Sequence, residues 1–290
     1  MTTAAEWVAG ARPRTLGAAV SPVLVGTAAA YADGDPVIWW RAVAALVVAL
    51  GLQVGVNYAN DYSDGVRGAD TKRAGPLRLT ASGVAAPAAV RNAAAVAFGV
   101  AAVAGLALAI AVDLRLLLVG AVAIAAAVLY TGGPRPYGYS GLGEVAVLVF
   151  FGFVATAGSA YVQLERVPTA AWWGAVAVGL LACAILLANN IRDVDTDRVA
   201  GKRTLPVRTG IGAARGVYAG CVAGAFVAVA AIGVLYPPAL IALAAFPLAL
   251  QPVRLVMTRR DPPSLVAALI GTARLEVVVA VLLALGLITS

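Results

Sequence analysis

Apolar runs of about 20 residues recur from near residue 15 almost to Ser290, broken by short polar connectors. A helix needs roughly 20 such residues to cross the hydrocarbon of a bilayer, so the pattern predicts nine transmembrane helices. They fall near 15–32, 37–60, 86–112, 114–131, 141–163, 168–191, 212–235, 237–256 and 264–288. The softest breaks are the Pro237-Pro238 pair and the Asp113–Arg115 link. No stretch between the runs leaves room for a soluble module, so the expected architecture is all-α, a polytopic membrane protein forming a single domain over residues 1–290. The first twenty residues lack the basic, apolar, small-residue order of a cleavable signal peptide, and the segment is expected to be retained.

Composition reinforces that class. Apolar side chains make up 62% and charged ones 12%, against roughly 45–50% and about 25% in soluble domains. Of the 21 lysines and arginines, 17 fall on one predicted face, three (Arg41, Arg115 and Arg166) on the other, and Arg274 inside the last span. That bias predicts a cytoplasmic N-terminus and an external C-terminus. No nucleic-acid motif accompanies the +7 net charge, so no nucleic-acid partner is expected. There is no histidine, and the two cysteines, Cys183 and Cys221, lie in apolar runs. Ser-His-Asp and Cys-His catalysis, histidine metal ligands, thiolate zinc sites and disulfide frameworks are thereby excluded.

Two connectors are longer and more polar than the rest, and both sit on the basic face. The first runs through Asn57, Asn60, Asp61, Asp64, Asp70, Lys72, Arg73 and Arg78. If the second span continues helically, Asn57, Asn60, Asp61 and Asp64 lie at i, i+3, i+4 and i+7 and share a face, with Gly65 and Gly68 releasing the chain. The second runs from Asn189 and Asn190 through Arg192, Asp193, Asp195 and Asp197 to Lys202, Arg203 and Arg208. There Asp193 and Asp197 are i, i+4 partners, Asp195 faces elsewhere, and Gly201 ends the helix. Either loop alone reads as an ordinary basic connector; the two together read as a site. Grouped carboxylates repel one another and call for a cation. Hard oxygen ligands without His or Cys suit Mg²⁺, and the lysines and arginines behind each cluster suit diphosphate oxygens that the metal leaves free.

The strings Asn60-Asp61-x-x-Asp64 and Asp193-x-x-x-Asp197 resemble the paired signatures of the UbiA superfamily of intramembrane prenyltransferases. The Arg12-Pro13-Arg14 segment, the stretch from Tyr130 to Glu144 and the stretch from Asn189 to Arg208 are similar to its menaquinone-pathway branch. The resemblance covers nearly the whole chain. It implies a helical bundle around a central cavity capped by the two aspartate loops, with a polyprenyl diphosphate donor and dihydroxynaphthoate as acceptor. By matching motif positions it implies Mg²⁺ ligation by Asp61, Asp64, Asp193 and Asp197, with Asn57 and Asn60 beside them. Lys72, Arg73, Lys202 and Arg203 are then expected to contact diphosphate, and Arg135 stands where relatives often carry lysine.

Further polar residues are expected near the acceptor or the cavity wall. Tyr130 is placed to line the cation's path or to anchor at the interface. Glu144 is placed to orient a substrate hydroxyl or to pair with a base, and Asn190 to line the cavity. Arg12 and Arg14 either contact the acceptor or anchor the chain. Arg274 and Glu276 are charges inside the last span, two residues apart and so on different faces; each is expected to meet a partner on another helix. The alternatives are prenyl transfer to another aromatic acid, such as 4-hydroxybenzoate, and a transporter with acidic vestibules. A transporter would place its ionisable groups mid-span in broken helices rather than at span ends.

Overall fold

The computed structural model describes residues 2–68 and 77–290, and Asp70, Lys72 and Arg73 lie outside the described residues. The described chain is helical throughout, without a strand. A short α1 (Ala4–Gly10) and a 3₁₀ turn (Pro13–Thr15) lead into α2 (Gly17–Ala32), bent from them by 51°. Next come α3 (Trp39–Val66), α4 (Pro87–Ala111) and α5 (Leu116–Thr131). The next span, Gly143–Leu164, is composite: α6 (Gly143–Val147), a π-helix over Leu148–Ala157, and α7 (Gly158–Leu164). After α8 (Thr169–Arg192), the two short helices α9 (Val194–Val199) and α10 (Leu205–Thr209) form the second polar loop. The bundle closes with α11 (Ile211–Leu235), a 3₁₀ segment (Pro237–Ala245) running into α12 (Phe246–Thr258), and α13 (Pro262–Ile288).

These elements fall within a few residues of the apolar runs, except that α3 continues helically to Val66 and carries its acidic turns beyond the predicted end. The expected count of nine is not reached by length and composition. Among the described residues seven helices qualify as spans, or eight with the bent pair Ala4–Thr15 and Gly17–Ala32, while Leu116–Thr131 is a shorter apolar helix. The reason is geometric: α2 and α5 have 16 residues each, and at 1.5 Å per residue that is about 24 Å against a hydrocarbon core of about 30 Å.

Lipid provides no hydrophobic drive between helices, so close packing must do that work, and small residues allow it. The main core joins α2, α8, α11 and α13, and most of its buried residues are alanines. Helix α8 is the central element. A Cβ on its Gly179 would come within 2.8 Å of Gly152 Cα on the π-helix, so the two backbones touch where any larger residue would separate them.

The ends of the bundle are chemically distinct. The three bases assigned to the sparse face gather at one end: Arg166 pairs with Asp33, Arg115 with Asp113, and Arg41 donates to the Val162 carbonyl. The Asp113 carboxyl is held well below its ordinary pKa by hydrogen bonds from Arg115 and Tyr161. The two aspartate loops lie at the opposite end.

Candidate active site

The last turns of α3 carry the first cluster. Asn57, Asn60 and Asp64 line one central cavity of about 390 Å³. Asp61 does not. At about 100° per residue Asp61 sits some 40° to one side of Asn57 while Asn60 and Asp64 lie to the other. Its carboxylate, 1% exposed, accepts the backbone N–H groups of Leu79 (2.8 Å) and Thr80 (2.9 Å), fixing the chain where it returns from the first loop.

The second cluster is split by a helix break. Asp193 ends α8 with φ −96° and ψ 7°, outside the helical region. Freed there, its side chain meets that of its immediate neighbour Arg192, Nε–Oδ1 at 2.7 Å and Nη2–Oδ2 at 2.6 Å. A third Arg192 bond, from Nη2, reaches Asn189 Oδ1. On α9, Asp197 turns inward to the cavity and accepts from Thr204 (3.3 Å), while Asp195 is exposed as expected. Gly201, at φ +73°, ends this helix: its N–H reaches the Arg198 carbonyl and that of Lys202 the Asp197 carbonyl. That pairing is a Schellman ending, in which a left-handed residue without a Cβ reverses the chain. The reversal points Lys202 back at α3.

Lys202 then joins the two halves. Its ammonium sits 2.8 Å from Asp64 Oδ2, with both side chains buried, and 4.7 Å from the centre of the Tyr139 ring. Tyr139 donates to the other Asp64 oxygen (2.6 Å), and its carbonyl accepts the Arg203 N–H (2.8 Å). Burial first, and the Asp64 charge second, push the Tyr139 phenol above its ordinary pKa, so it remains a neutral donor at physiological pH. Arg67 caps the end of α5 by donating to the Thr131 and Gly133 carbonyls.

The cavity also collects Arg12, Tyr130, Asn190 and Lys202 from the residues singled out in the sequence. Arg12 stands in the left-handed region (φ 55°, ψ 65°), where a non-glycine residue is strained. The corner it belongs to is tied to α3 by Asn57, which donates to the Ala11 carbonyl. Glu144 is not on the cavity wall but acts one residue behind it, accepting from Asn190 Nδ2 at 2.9 Å. Arg135 and Arg203 have exposed side chains away from the wall. Arg78, the last base of the first polar loop, also lines the cavity, and lining residues that were not anticipated include Gln53, Thr131 and Tyr139. Gln53 had a legible signal, since it lies one turn before Asn57 on the same stripe. Below this polar mouth the wall is apolar, with Val48, Leu52, Leu108, Leu116, Val119 and Ala123 on one side and the Ala146–Val162 span on the other. Among the described residues no three carboxylates or thiols stand close enough to ligate one ion unaided.

Residues 19–275 match the UbiA prenyltransferase family, and the chain belongs to it. A 1,4-dihydroxy-2-naphthoate octaprenyltransferase of Mycobacterium tuberculosis is 46% identical over 272 residues, covering 94% of this chain and 93% of that one. Its namesake in Escherichia coli is 38% identical, covering 98% and 95%. Solved structures share the fold. An apo UbiA homologue from Aeropyrum pernix superposes with a TM-score of 0.66 at 18% identity, covering 93% of this chain and 97% of that one. A homologue from Archaeoglobus fulgidus bound to GPP and Mg²⁺ gives 0.65 at 14%, covering 96% and 99%.

Proposed function

We propose that this protein transfers a polyprenyl group from polyprenyl diphosphate to 1,4-dihydroxy-2-naphthoate, releasing diphosphate and CO₂ and yielding demethylmenaquinol, the hydroquinone form of demethylmenaquinone. The reaction takes place in the inner membrane, with the N-terminus and both aspartate loops on the cytoplasmic side and the C-terminus outside. The observation that carries this reading is the meeting of Asp64 with Lys202, 2.8 Å apart, at the polar mouth of an otherwise apolar cavity. A phosphate-bearing head and an isoprenoid tail fit that division. The names of the mycobacterial and E. coli relatives support the acceptor.

The donor set suits a hard divalent ion. Asp64 and Asp197 come from opposite halves of the bundle, with amide oxygens of Asn57 and Asn60 nearby, and Mg²⁺ typically takes one or two carboxylates and completes its shell with water and substrate phosphate. In the structure the Lys202 ammonium already stands against Asp64 as a cationic partner. We therefore assign metal binding to Asp64 and Asp197. Asp61, expected as a further ligand, instead holds the return of the first loop, and Asp193, likewise expected as a ligand, pairs with Arg192. Bound Mg²⁺ supplies positive charge that neutralises the diphosphate as its bond to the allylic carbon breaks.

Lys202, Arg78 and Arg12, which line the cavity, counter the charge that develops on the leaving group. The allylic C–O electron pair leaves with diphosphate. The faces of Tyr130 and Tyr139 flank the electron-deficient carbon. Asn190, oriented by Glu144, and Gln53 hold ring hydroxyls so that the carboxylate-bearing ring carbon faces the donor. That carbon forms the new C–C bond, and the pair from its bond to the carboxylate restores the ring as CO₂ departs.

Membranes from an overexpressing strain, given labelled polyprenyl diphosphate and dihydroxynaphthoate, are expected to place label in demethylmenaquinol, recovered as demethylmenaquinone after air oxidation. EDTA should abolish the transfer and Mg²⁺ restore it. Equal labelling of 4-hydroxybenzoate, or transfer indifferent to the chelator, contradicts the proposal. The apolar wall carries a second expectation. Ala123→Phe, midway down α5, should exclude two or three methylenes of a long tail at about 0.8 kcal/mol each, raising KM for long donors roughly 30-fold. Geranyl diphosphate should be used nearly as before, which a steady-state comparison of the two donors will read.

A further inference from the structure

Arg14, in the turn Pro13–Thr15, and Arg274, the thirteenth residue of α13, both have exposed side chains. Among the described residues neither makes a hydrogen bond, an ion pair or a ring contact. The expected partner of Arg274 on another span is therefore not found among the described residues, and its neighbour in sequence cannot serve. Glu276 is fully buried on another face of the helix, its own two oxygens without a partner among the described residues.

The two arginines lie on one seam. Helices α2 and α13 run in the same direction: α2 ends at the Asp33–Arg166 pair, and α13 ends with Gly286 against Ala239, just after α11 has crossed to that end. Near the start of α2 a Cβ on Gly17 would come within 2.5 Å of Val277 Cγ2. Arg14 precedes Gly17 by three residues, and Arg274 precedes Val277 by three. Each guanidinium is thus about one turn back from the same contact, and the turn bearing Arg14 itself touches α13.

The surroundings are those of a lipid-facing surface. Arg12, Ala18, Ala19 and Pro22 face the cavity, whereas Val20, Val277 and Val281, along the seam, are exposed. Two positive charges beside one another in an apolar band repel and are poorly solvated, and among the described residues no carboxylate pairs with either of them. Long basic side chains in such a position reach for an anion at the membrane interface, and a guanidinium binds phosphate oxygens in a forked, two-bond geometry.

We propose that Arg14 and Arg274 together bind the phosphate of an anionic phospholipid of the surrounding bilayer, at the seam between α2 and α13. This site lies outside the catalytic cavity, and its occupancy does not depend on the transfer reaction being assigned correctly.

The test is native mass spectrometry of the purified full-length protein titrated with phosphatidylglycerol or phosphatidylcholine. Wild type is expected to bind its first phosphatidylglycerol about 10-fold more tightly than phosphatidylcholine, and the Arg14→Gln/Arg274→Gln variant to lose that preference. Arg274→Lys, which keeps the charge but not the fork, should fall between them. Absence of any headgroup preference in wild type overturns the proposal without recourse to a variant. So does a glutamine variant that retains the preference. A variant with unchanged phosphatidylglycerol binding but about 10-fold weaker binding of a long polyprenyl diphosphate would also overturn it, assigning the seam to the donor instead.

Discussion

Asp64→Asn is expected to lower turnover by about 10²–10³-fold, the scale seen when one electrostatic element of a preorganised site is removed. The substitution preserves shape and one acceptor for Tyr139 but removes the charge that faces Lys202. It also leaves the Lys202 ammonium, 7% exposed, without its counter-charge, at a cost of about 3–5 kcal/mol for a broken buried pair. The two effects separate in a double variant. Asp64→Asn/Lys202→Met removes both charges and should recover most of the thermal midpoint lost in the single variant, while turnover stays low. Recovery of turnover alongside stability would mean that the carboxylate only balances lysine and takes no part in the chemistry.

Asp61→Ala is expected to act through stability. Its carboxylate serves two backbone N–H groups, and hydrogen bonds to a charged acceptor contribute about 1.5–3 kcal/mol each, so losing both should cost on the order of 3 kcal/mol or more. Asp61→Asn retains one acceptor oxygen and should lose roughly half as much. The visible consequence is a loosened return of the first loop, read as faster proteolysis near Leu79 and a lower thermal midpoint. Activity should fall in step with the folded fraction. A stable Asp61→Asn protein devoid of turnover would instead return this residue to the metal site.

The contrast between Asp61 and Asp64 marks how far the sequence could be read. Helix positions were legible because lipid demands long apolar runs, and the ends found in the structure fall within a few residues of them. That the two loops belong together was legible from their repeated order of acid then base. Which aspartate faces the cavity was not, since four residues within about one-third of a helical turn look equivalent until the chain beyond them supplies backbone donors. Asp193 shows the same limit. Neighbours in sequence do not face each other on a regular helix, and only the break at this residue lets it meet Arg192. Tyr139 was hidden for another reason: its role depends on where a loop between two spans is pinned by Arg203, a contact some 60 residues distant in sequence.

The π-helical stretch in the fifth apolar span determines how the far wall can change. The inward residues of the whole span are Ala146, Val147, Phe150, Phe151, Val154, Ala155, Gly158, Ser159 and Val162, a repeat of four. In a regular α-helix every fourth residue drifts by about 40°, so over four repeats the last would point about 160° away from the first. The wider coil cancels that drift and keeps aromatic and aliphatic groups in a straight column from mouth to floor. Side chains in the column can therefore be exchanged for larger or smaller ones to suit different tails. The number of residues between its ends is under a stricter constraint, because removing a single one would rotate everything after it by about 100° and turn half the wall toward lipid.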